Sequence, residues 1–410
     1  MPRFPAIFLY PSVKVLSMRA GLVGAPNTGK STFMKAATLA DVEINNYPFT
    51  TIKANRGIGY VTTECPCKEL DVSCDPNGNC VEGTRFVPVE MLDVAGLVPE
   101  AHKGRGLGNQ FLDDLREADV LIHVLDISGR TDSEGEPTEE HDPYENITFL
   151  EKELDFWYED IFKREWNKIS SSVEMENKEL ERQLLSRFSG LKITREDIKK
   201  VLRKLGLDGE KPGKWDDEDV RNFATQLRKE TKPMVIAANK IDLPEGEENL
   251  EELKKRVDMD VVPCCAEAEL ALRRALEQDK IKYIPGQGSF EVTDDLSKKQ
   301  KKGLDFVEKI LDNFGSTGVQ ETINKAIFEL LGMIVVYPVE NENNYTDKKG
   351  NVLPDAILLE KGSTAEDLAY KVHSDIGEDF IGAIDCRSGR KVGADHELKE
   401  NDIIKIITDG

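Results

Sequence analysis

The stretch "GAPNTGKST" fits the pattern G-x4-G-K-[ST] from Gly24 to Ser31, after an apolar run and before a helical pattern. Phosphate oxygens need many donors at short range. Backbone N–H groups from Asn27 through Thr28, Gly29, Lys30 and Ser31 to Thr32 can wrap them, and a helix N-terminus adds its dipole. Lys30 would reach the β- and γ-phosphates and so stands as a catalytic candidate, while the Ser31 hydroxyl would bind Mg²⁺. A second element follows in "LDVAG". Asp93 ends an apolar strand, which puts its carboxylate near the metal's outer shell, and the Gly96 N–H can donate to a γ-phosphate. The third is "NKID". After Asn239 and Lys240, the Asp242 carboxylate can accept both the N1–H and the exocyclic amino group of guanine, whereas adenine presents no such pair of donors. Taken singly, these are a Gly-rich turn, a strand-ending Asp and a common polar turn. In this order they specify GTP.

Weaker elements complete the set. Thr50 and Thr51 lie in "YPFTTIKANRG", a loop that could bring a hydroxyl onto Mg²⁺, and "CCAEAEL" would place the Ala266 backbone near guanine O6. One expected side chain is missing: where many such switches carry a water-aligning glutamine after the Asp-x-x-Gly turn, this chain has Leu97. His102 stands close by, followed by Gly104, Gly106 and Gly108, in a loop that could swing it toward the γ-phosphate.

These residues need a scaffold that presents strand ends along one edge. "RAGLVG", "FVPVEMLDV", "VLIHVLDI" and "PMVIAAN" are apolar on both faces, as a parallel sheet covered by helices requires. The third and fourth are too far apart for one crossover helix. The gap opens with the acidic loop "GRTDSEGEPTEEHD" and then turns helical, with Leu150, Leu154, Trp157, Ile161, Phe162, Trp166 and Ile169 forming a core stripe. Thr194 with Asp197 predicts a capped helix start, and Gly206 its stop. Val319, Ile323, Ile327 and Leu330 form a further helical pattern. The tail then changes character: "MIVVYPV" reads as a strand, Ser363 with Glu366 as a capping box, and "NDIIKIIT" as a closing strand.

The bulk numbers fit two or three domains. The chain has 410 residues, 39 % hydrophobic and 32 % charged, with no apolar run of membrane-spanning length. A net charge of −22 argues against a chain-wide nucleic-acid face, so DNA is not an expected partner, although "SKKQKK" is locally basic. Residues 1–17 read as an extension of doubtful order rather than a signal peptide, with Met18 as a plausible start. Seven cysteines without a secretion signal suggest reduced thiols and a cytoplasmic setting. Four of them, Cys65, Cys67, Cys74 and Cys80, crowd into "CPCKELDVSCDPNGNC", which joins two strands. They read either as a structural zinc site or as reduced, exposed hairpin cysteines. The C-x-C start is tighter than the usual zinc spacing.

"GAPNTGKSTF", "NNYPFTTIKANRG", "DVAGLVPEAHKGRGLGNQFLDDLREAD" and the tail together resemble the YchF family of Obg-like GTPases, in its archaeal branch. The resemblance implies an α/β fold: a P-loop NTPase G domain with a mostly parallel sheet (18–140 and 231–332), an all-helical insertion (141–230) and a C-terminal β-grasp TGS domain (333–410). It implies Mg²⁺ held by Ser31 and Thr51, the latter preferred over Thr50, and ribosome or RNA-containing partners alongside GTP and GDP. Many YchF proteins end the guanine motif in Glu and prefer ATP, and "NKID" departs from that. The family also replaces the catalytic glutamine by an apolar residue, as Leu97 does. Three substitutes stay open: His102, His123 in "VLIHVLD", and a partner or a K⁺ ion beside Asn27, the residue related GTPases use to hold that cation. Asn27 could equally serve only its own turn. The resulting expectation is a slow Mg²⁺-dependent GTPase acting as a switch. Its alternatives are an ATP-preferring enzyme and a nucleotide-sensing scaffold with incidental turnover.

Overall fold

The computed structural model describes residues 18–38, 56–74, 79–94 and 114–409, and the N-terminal extension 1–17 lies outside them. In chain order the elements begin with β1 (Arg19–Val23), α1 (Lys30–Thr38), β2 (Arg56–Glu64), β3 (Cys80–Val81), β4 (Thr84–Asp93) and β5 (Val120–Asp126). Helices α2 (Pro143–Glu176), α3 (Leu180–Arg187), α4 (Arg195–Leu205) and α5 (Asp217–Thr231) follow. Next come β6 (Met234–Asn239), α6 (Gly246–Arg256), β7 (Val261–Pro263), α7 (Ala266–Glu277), β8 (Ile281–Lys282), β9 (Glu291–Val292), α8 (Lys298–Phe314) and α9 (Val319–Asn324). The tail holds β10 (Met333–Val339), β11 (Ile357–Glu360), α10 (Ala365–Val372), α11 (Ser374–Glu378), β12 (Phe380–Asp385), β13 (Arg390–Val392) and β14 (Ile403–Thr408). Among the described residues two compact units result, one within Arg19–Ala36 and Met91–Thr322, the other within Ala37–Glu90 and Ile323–Gly410.

In the first unit β1, β5, β6 and β7 lie side by side in that order, all parallel. Every residue of β5 and of β6 is buried, because helices cover both faces of the sheet. The end of β4 belongs here too, where the Val94 N–H donates to Leu22 O at 3.1 Å. Helices α2 to α5 form the insertion. Asp142 caps α2, accepting from the Tyr144 N–H, and Pro143 takes a first-turn position where no N–H is required. The stripe Leu150, Leu154, Trp157, Phe162, Trp166 and Ile169 is buried against Val201, Phe223 and Leu227. Thr194 and Asp197 form a reciprocal capping box on α4, and Gly206 ends it in the left-handed conformation, both as the spacing predicts.

The second unit contains a five-stranded sheet in the order β11-β10-β14-β12-β13. Its central pair, β10 and β14, is parallel, and the flanking pairs are antiparallel. Ala365 and Leu368 of α10 pack on Val336, Leu359, Ala383 and Ile404. The capping box here is Thr364 with Asp367, one residue later than Ser363 with Glu366. The Ser363 N–H is spent in a turn on Glu360 O at 3.0 Å, so the helix starts at the next register. In the same unit β2 is fastened through Thr62, whose N–H donates to Asn324 Oδ1 and whose Oγ1 accepts from Asn324 Nδ2, each at 2.9 Å.

Phe162 is fully buried and meets Phe188 and Phe223 at centroid distances of 4.5 and 5.8 Å. Phe162→Ala is expected to destabilise the insertion by about 3–5 kcal/mol. Hydrogen exchange should speed up in α3 and α5 and stay unchanged in β5 and β6.

Candidate functional site

The loop between β1 and α1 can take its course only with glycine at two points. Gly24 has φ +145°, and a Cβ there would lie 2.4 Å from Val124 O. Gly29 has φ +98°, and its Cβ would lie 2.2 Å from Asn239 Nδ2. Between them Asn27 is also left-handed, at φ 62°, and the Thr28 hydroxyl donates to Ala25 O at 3.0 Å. The Phe33 N–H donates to Gly29 O at 2.9 Å, which opens α1 and leaves Ser31 exposed and Thr32 half-buried on its first turn. Lys30 turns back over the loop, its Nζ donating to Gly24 O and Val94 O, both at 3.2 Å. Burial lowers the Lys30 pKa and raises that of Asp93, and in each case the charge of the other group opposes the shift. The ammonium and carboxylate are therefore close enough to feel one another's charge at the end of the strands.

The segments Asn239 to Asp242 and Ala266 are joined to this loop through Asn239. Asn239, 4 % exposed at the end of β6, donates from Nδ2 to Thr28 O at 2.9 Å and accepts at Oδ1 from the Ala266 N–H at 3.0 Å. Lys240, left-handed at φ 62°, donates to Asp126 Oδ2 at 2.7 Å. Asp126 is fully buried and also accepts from the Ser128 and Thr131 hydroxyls, each at 2.6 Å. Sequence reasoning missed Asp126, although the signal was present: "VLIHVLD" ends an apolar strand in Asp just as "MLD" does. Asp242 lies past the strand end and is exposed. Its Oδ1 accepts from the Cys265 thiol at 3.1 Å. Cys265 was also overlooked; burial, then Asp242, raises its pKa, which keeps the sulfur protonated as a donor.

The segment behind Ala266 is held from below. Cys265 N–H donates to Thr317 O at 2.9 Å, and Gly318, φ +80°, passes where a Cβ would meet Pro263 O at 1.9 Å. Thr317 Oγ1 and the Tyr283 hydroxyl both donate to the buried Glu269 carboxylate, at 2.6 and 2.7 Å. On the other side of the loop, Asn27 Nδ2 donates to Gly135 O at 2.9 Å, which ties the acidic loop to the phosphate-type turn.

His123 sits on β5 in register with Val23 and Ile236. It is buried, and among the described residues its Nδ1 has no hydrogen-bond partner. Burial and the nearby Lys30 charge push its pKa down to about 3, so the ring is neutral. Gly24 to Thr32, Asp93, Asn239 to Asp242 and Ala266 thus meet along one sheet edge. Thr50, Thr51, Gly96, Leu97 and His102 lie outside the described residues.

In the other unit Cys65 and Cys67 are buried, at 1 % and 7 % exposure, and Cys74 and Cys80 are half-buried. Exposed hairpin cysteines are therefore not what the fold contains. The turn after β2 folds the thiols inward, and their four sulfurs lie within 4.8 Å of one another.

Comparison with known proteins agrees with this arrangement. Residues 19–156 match the family described as 50S ribosome-binding GTPase, 237–341 the Obg-like GTPase YGR210-like G4 motif-containing domain, and 343–408 the TGS domain. An uncharacterized GTP-binding protein of Methanocaldococcus jannaschii is 53 % identical over 95 % of this chain and 98 % of its own. The ribosome-binding ATPase YchF of Bacillus subtilis is 26 % identical, covering 95 % and 98 % respectively. A crystal structure of a GTP binding protein from Pyrococcus horikoshii OT3 matches with a TM-score of 0.77 and 42 % identity, over 95 % of this chain and all (100 %) of the other. With its P-loop edge, helical insertion and TGS domain, this chain belongs to the YchF family of Obg-like GTPases.

Proposed function

We propose that the protein is a Mg²⁺-dependent GTPase of slow turnover that acts as a nucleotide switch at the ribosome. The observation that carries the guanine reading is the Asn239 carboxamide. It binds the Thr28 carbonyl of the phosphate-type loop and the Ala266 N–H at once, so that Asp242 stands at a set distance from the phosphate end. Cys265 is a weak donor to Asp242, and guanine N1–H and its amino group are stronger ones. Ser31, with Asp93 behind it, would hold Mg²⁺, which supplies charge neutralisation at the β- and γ-phosphates. Thr51 is the further metal ligand of this reading. The ribosome link rests on the names of relatives, the Bacillus subtilis protein above all.

That same name favours a second reading, an ATP-preferring enzyme. Fluorescent GTP and ATP analogues separate the two. GTP is expected to bind at least about 100-fold more tightly, since a site built on base hydrogen bonds rejects a base that lacks them. Asp242→Asn should move the preference from guanine to xanthine nucleotides. Equal binding of ATP and GTP by the unaltered chain would favour the ATPase reading.

Leu97 leaves the water without a glutamine, and the proposed replacement is a cation beside Asn27 together with a histidine. Asn27 spends its Nδ2 on Gly135 O, which orients the opposite Oδ1 as an acceptor. Turnover should therefore be several-fold faster in K⁺ than in Na⁺ at equal ionic strength, because the ion takes the place of an arginine finger. Identical rates would remove the cation from the mechanism.

His123, neutral with a pKa of about 3, is suited to positioning through a hydrogen bond rather than to taking a proton near neutral pH. If it acts, kcat/KM is expected to stay level across the ordinary histidine range around pH 6.5. A limb rising through that range would assign water activation to a different histidine, and His102 is then the residue to replace.

A further inference from the structure

We propose that Cys65, Cys67, Cys74 and Cys80 form a closed tetrathiolate site for one structural zinc ion, which braces the turn after β2 against the C-terminal sheet. The site is independent of the nucleotide reading above. The sulfur positions carry the proposal. Zinc–thiolate bonds of about 2.3 Å in a tetrahedron place neighbouring sulfurs about 3.8 Å apart. Here Cys65 Sγ and Cys74 Sγ lie 3.5 Å apart, Cys67 Sγ and Cys80 Sγ 3.8 Å, and all four sulfurs fall within 4.8 Å of one another. All four are free cysteines, none of them joined in a disulfide.

The local chain explains how a spacing as tight as C-x-C works. Cys65 ends the extended stretch of β2, its N–H donating to Gly83 O at 2.8 Å, and a tight turn begins at once. Leu70 N–H donates to Pro66 O and Val72 N–H to Cys67 O, each at 3.0 Å. The Cys67 sulfur thereby comes within 4.8 Å of the Cys65 sulfur. Gly83, φ +79°, lets the return strand pass where a Cβ would meet Lys68 Cε at 2.0 Å. N–H groups aimed at thiolate sulfur are the outer layer that metal-bound cysteines require.

Arg85 supplies such donors here. It is 1 % exposed, and its Nη2 lies 3.4 Å from Cys65 Sγ and 3.3 Å from Cys74 Sγ. Four thiolates around Zn²⁺ leave a net charge of −2, and a buried guanidinium beside two of the sulfurs offsets part of it. Four sulfurs leave no open coordination position, so the site is structural rather than catalytic. The same Nη2 donates to Leu353 O at 3.0 Å, and the guanidinium lies 5.3 Å from the Tyr337 ring centroid. Leu353 and Tyr337 belong to the C-terminal part of the same unit, so Arg85 links the cysteine turn to that sheet. Thr63 to Glu400, at 3.0 Å, and Arg387 to Glu69, at 2.6 Å, fasten the two sides of the turn to the same partner.

The full-length protein, purified without chelator, should contain about one zinc per chain. X-ray absorption should show a pure sulfur shell near about 2.3 Å. Cys74→Ser and Cys67→Ser are expected to lose the metal, and Cys386→Ser to keep it. Extracting the metal from the unaltered chain should speed amide exchange in β10 and around Leu353 and leave α1 and β6 unchanged. Iron in place of zinc, a shell containing nitrogen or oxygen, or a chain that stays metal-free after anaerobic loading with Zn²⁺ would each overturn the proposal. The absorption measurement needs no variant, so a misfolded mutant cannot mask the result.

Discussion

The Asn239 carboxamide is the interaction that ties the phosphate-type loop to the segment at Ala266. Both ends of that amide are spent on backbone, one on the Thr28 carbonyl and one on the Ala266 N–H. A buried amide with either end unmatched would cost about 1–3 kcal/mol, so the two loops hold the side chain as firmly as it holds them. Gly29 is part of the same constraint, since a Cβ at that position would occupy the place of the amide nitrogen. The glycine of one motif and the asparagine of another, far apart in the chain, are thus a single steric and hydrogen-bonding unit.

Charge at the site is arranged in the same paired manner. Lys30 and Asp93 are both partly withdrawn from water, and each moderates what burial does to the other. Lys240 answers the fully buried Asp126, which also takes two hydroxyl donors. His123 lies beneath the loop with no charge at all, because burial and Lys30 both disfavour the protonated ring. Among the described residues, Lys30 and Asp93 offset one another and Lys240 pairs with Asp126.

The second unit solves a different problem by different means. Its C-terminal sheet has an ordinary apolar core, closed by α10 over the central strands. The chain that leaves β2 has little apolar surface to bury, and is organised instead by sulfur, by Arg85 and by a few polar ties. Small segments that cannot build a core commonly rely on such cross-links.

Much of this was legible from residue order alone. Strands apolar on both faces announced a covered parallel sheet, the Thr194–Asp197 box and Gly206 marked both ends of a helix, and three motifs in sequence pointed to a phosphate edge with a guanine reader. Those signals are local, because periodicity, caps and glycine-rich turns are set by neighbours in the chain. What the sequence could not disclose was which residues from distant elements answer one another. Asp126 reads as any strand-ending carboxylate until Lys240 is placed on it, and Cys265 as any thiol until Asp242 faces it. The capping register at Thr364 was likewise decided by a turn that claimed the Ser363 N–H. The four cysteines were visible as a cluster in the sequence, but only the fold turned two of them inward and set all four sulfurs around a common centre.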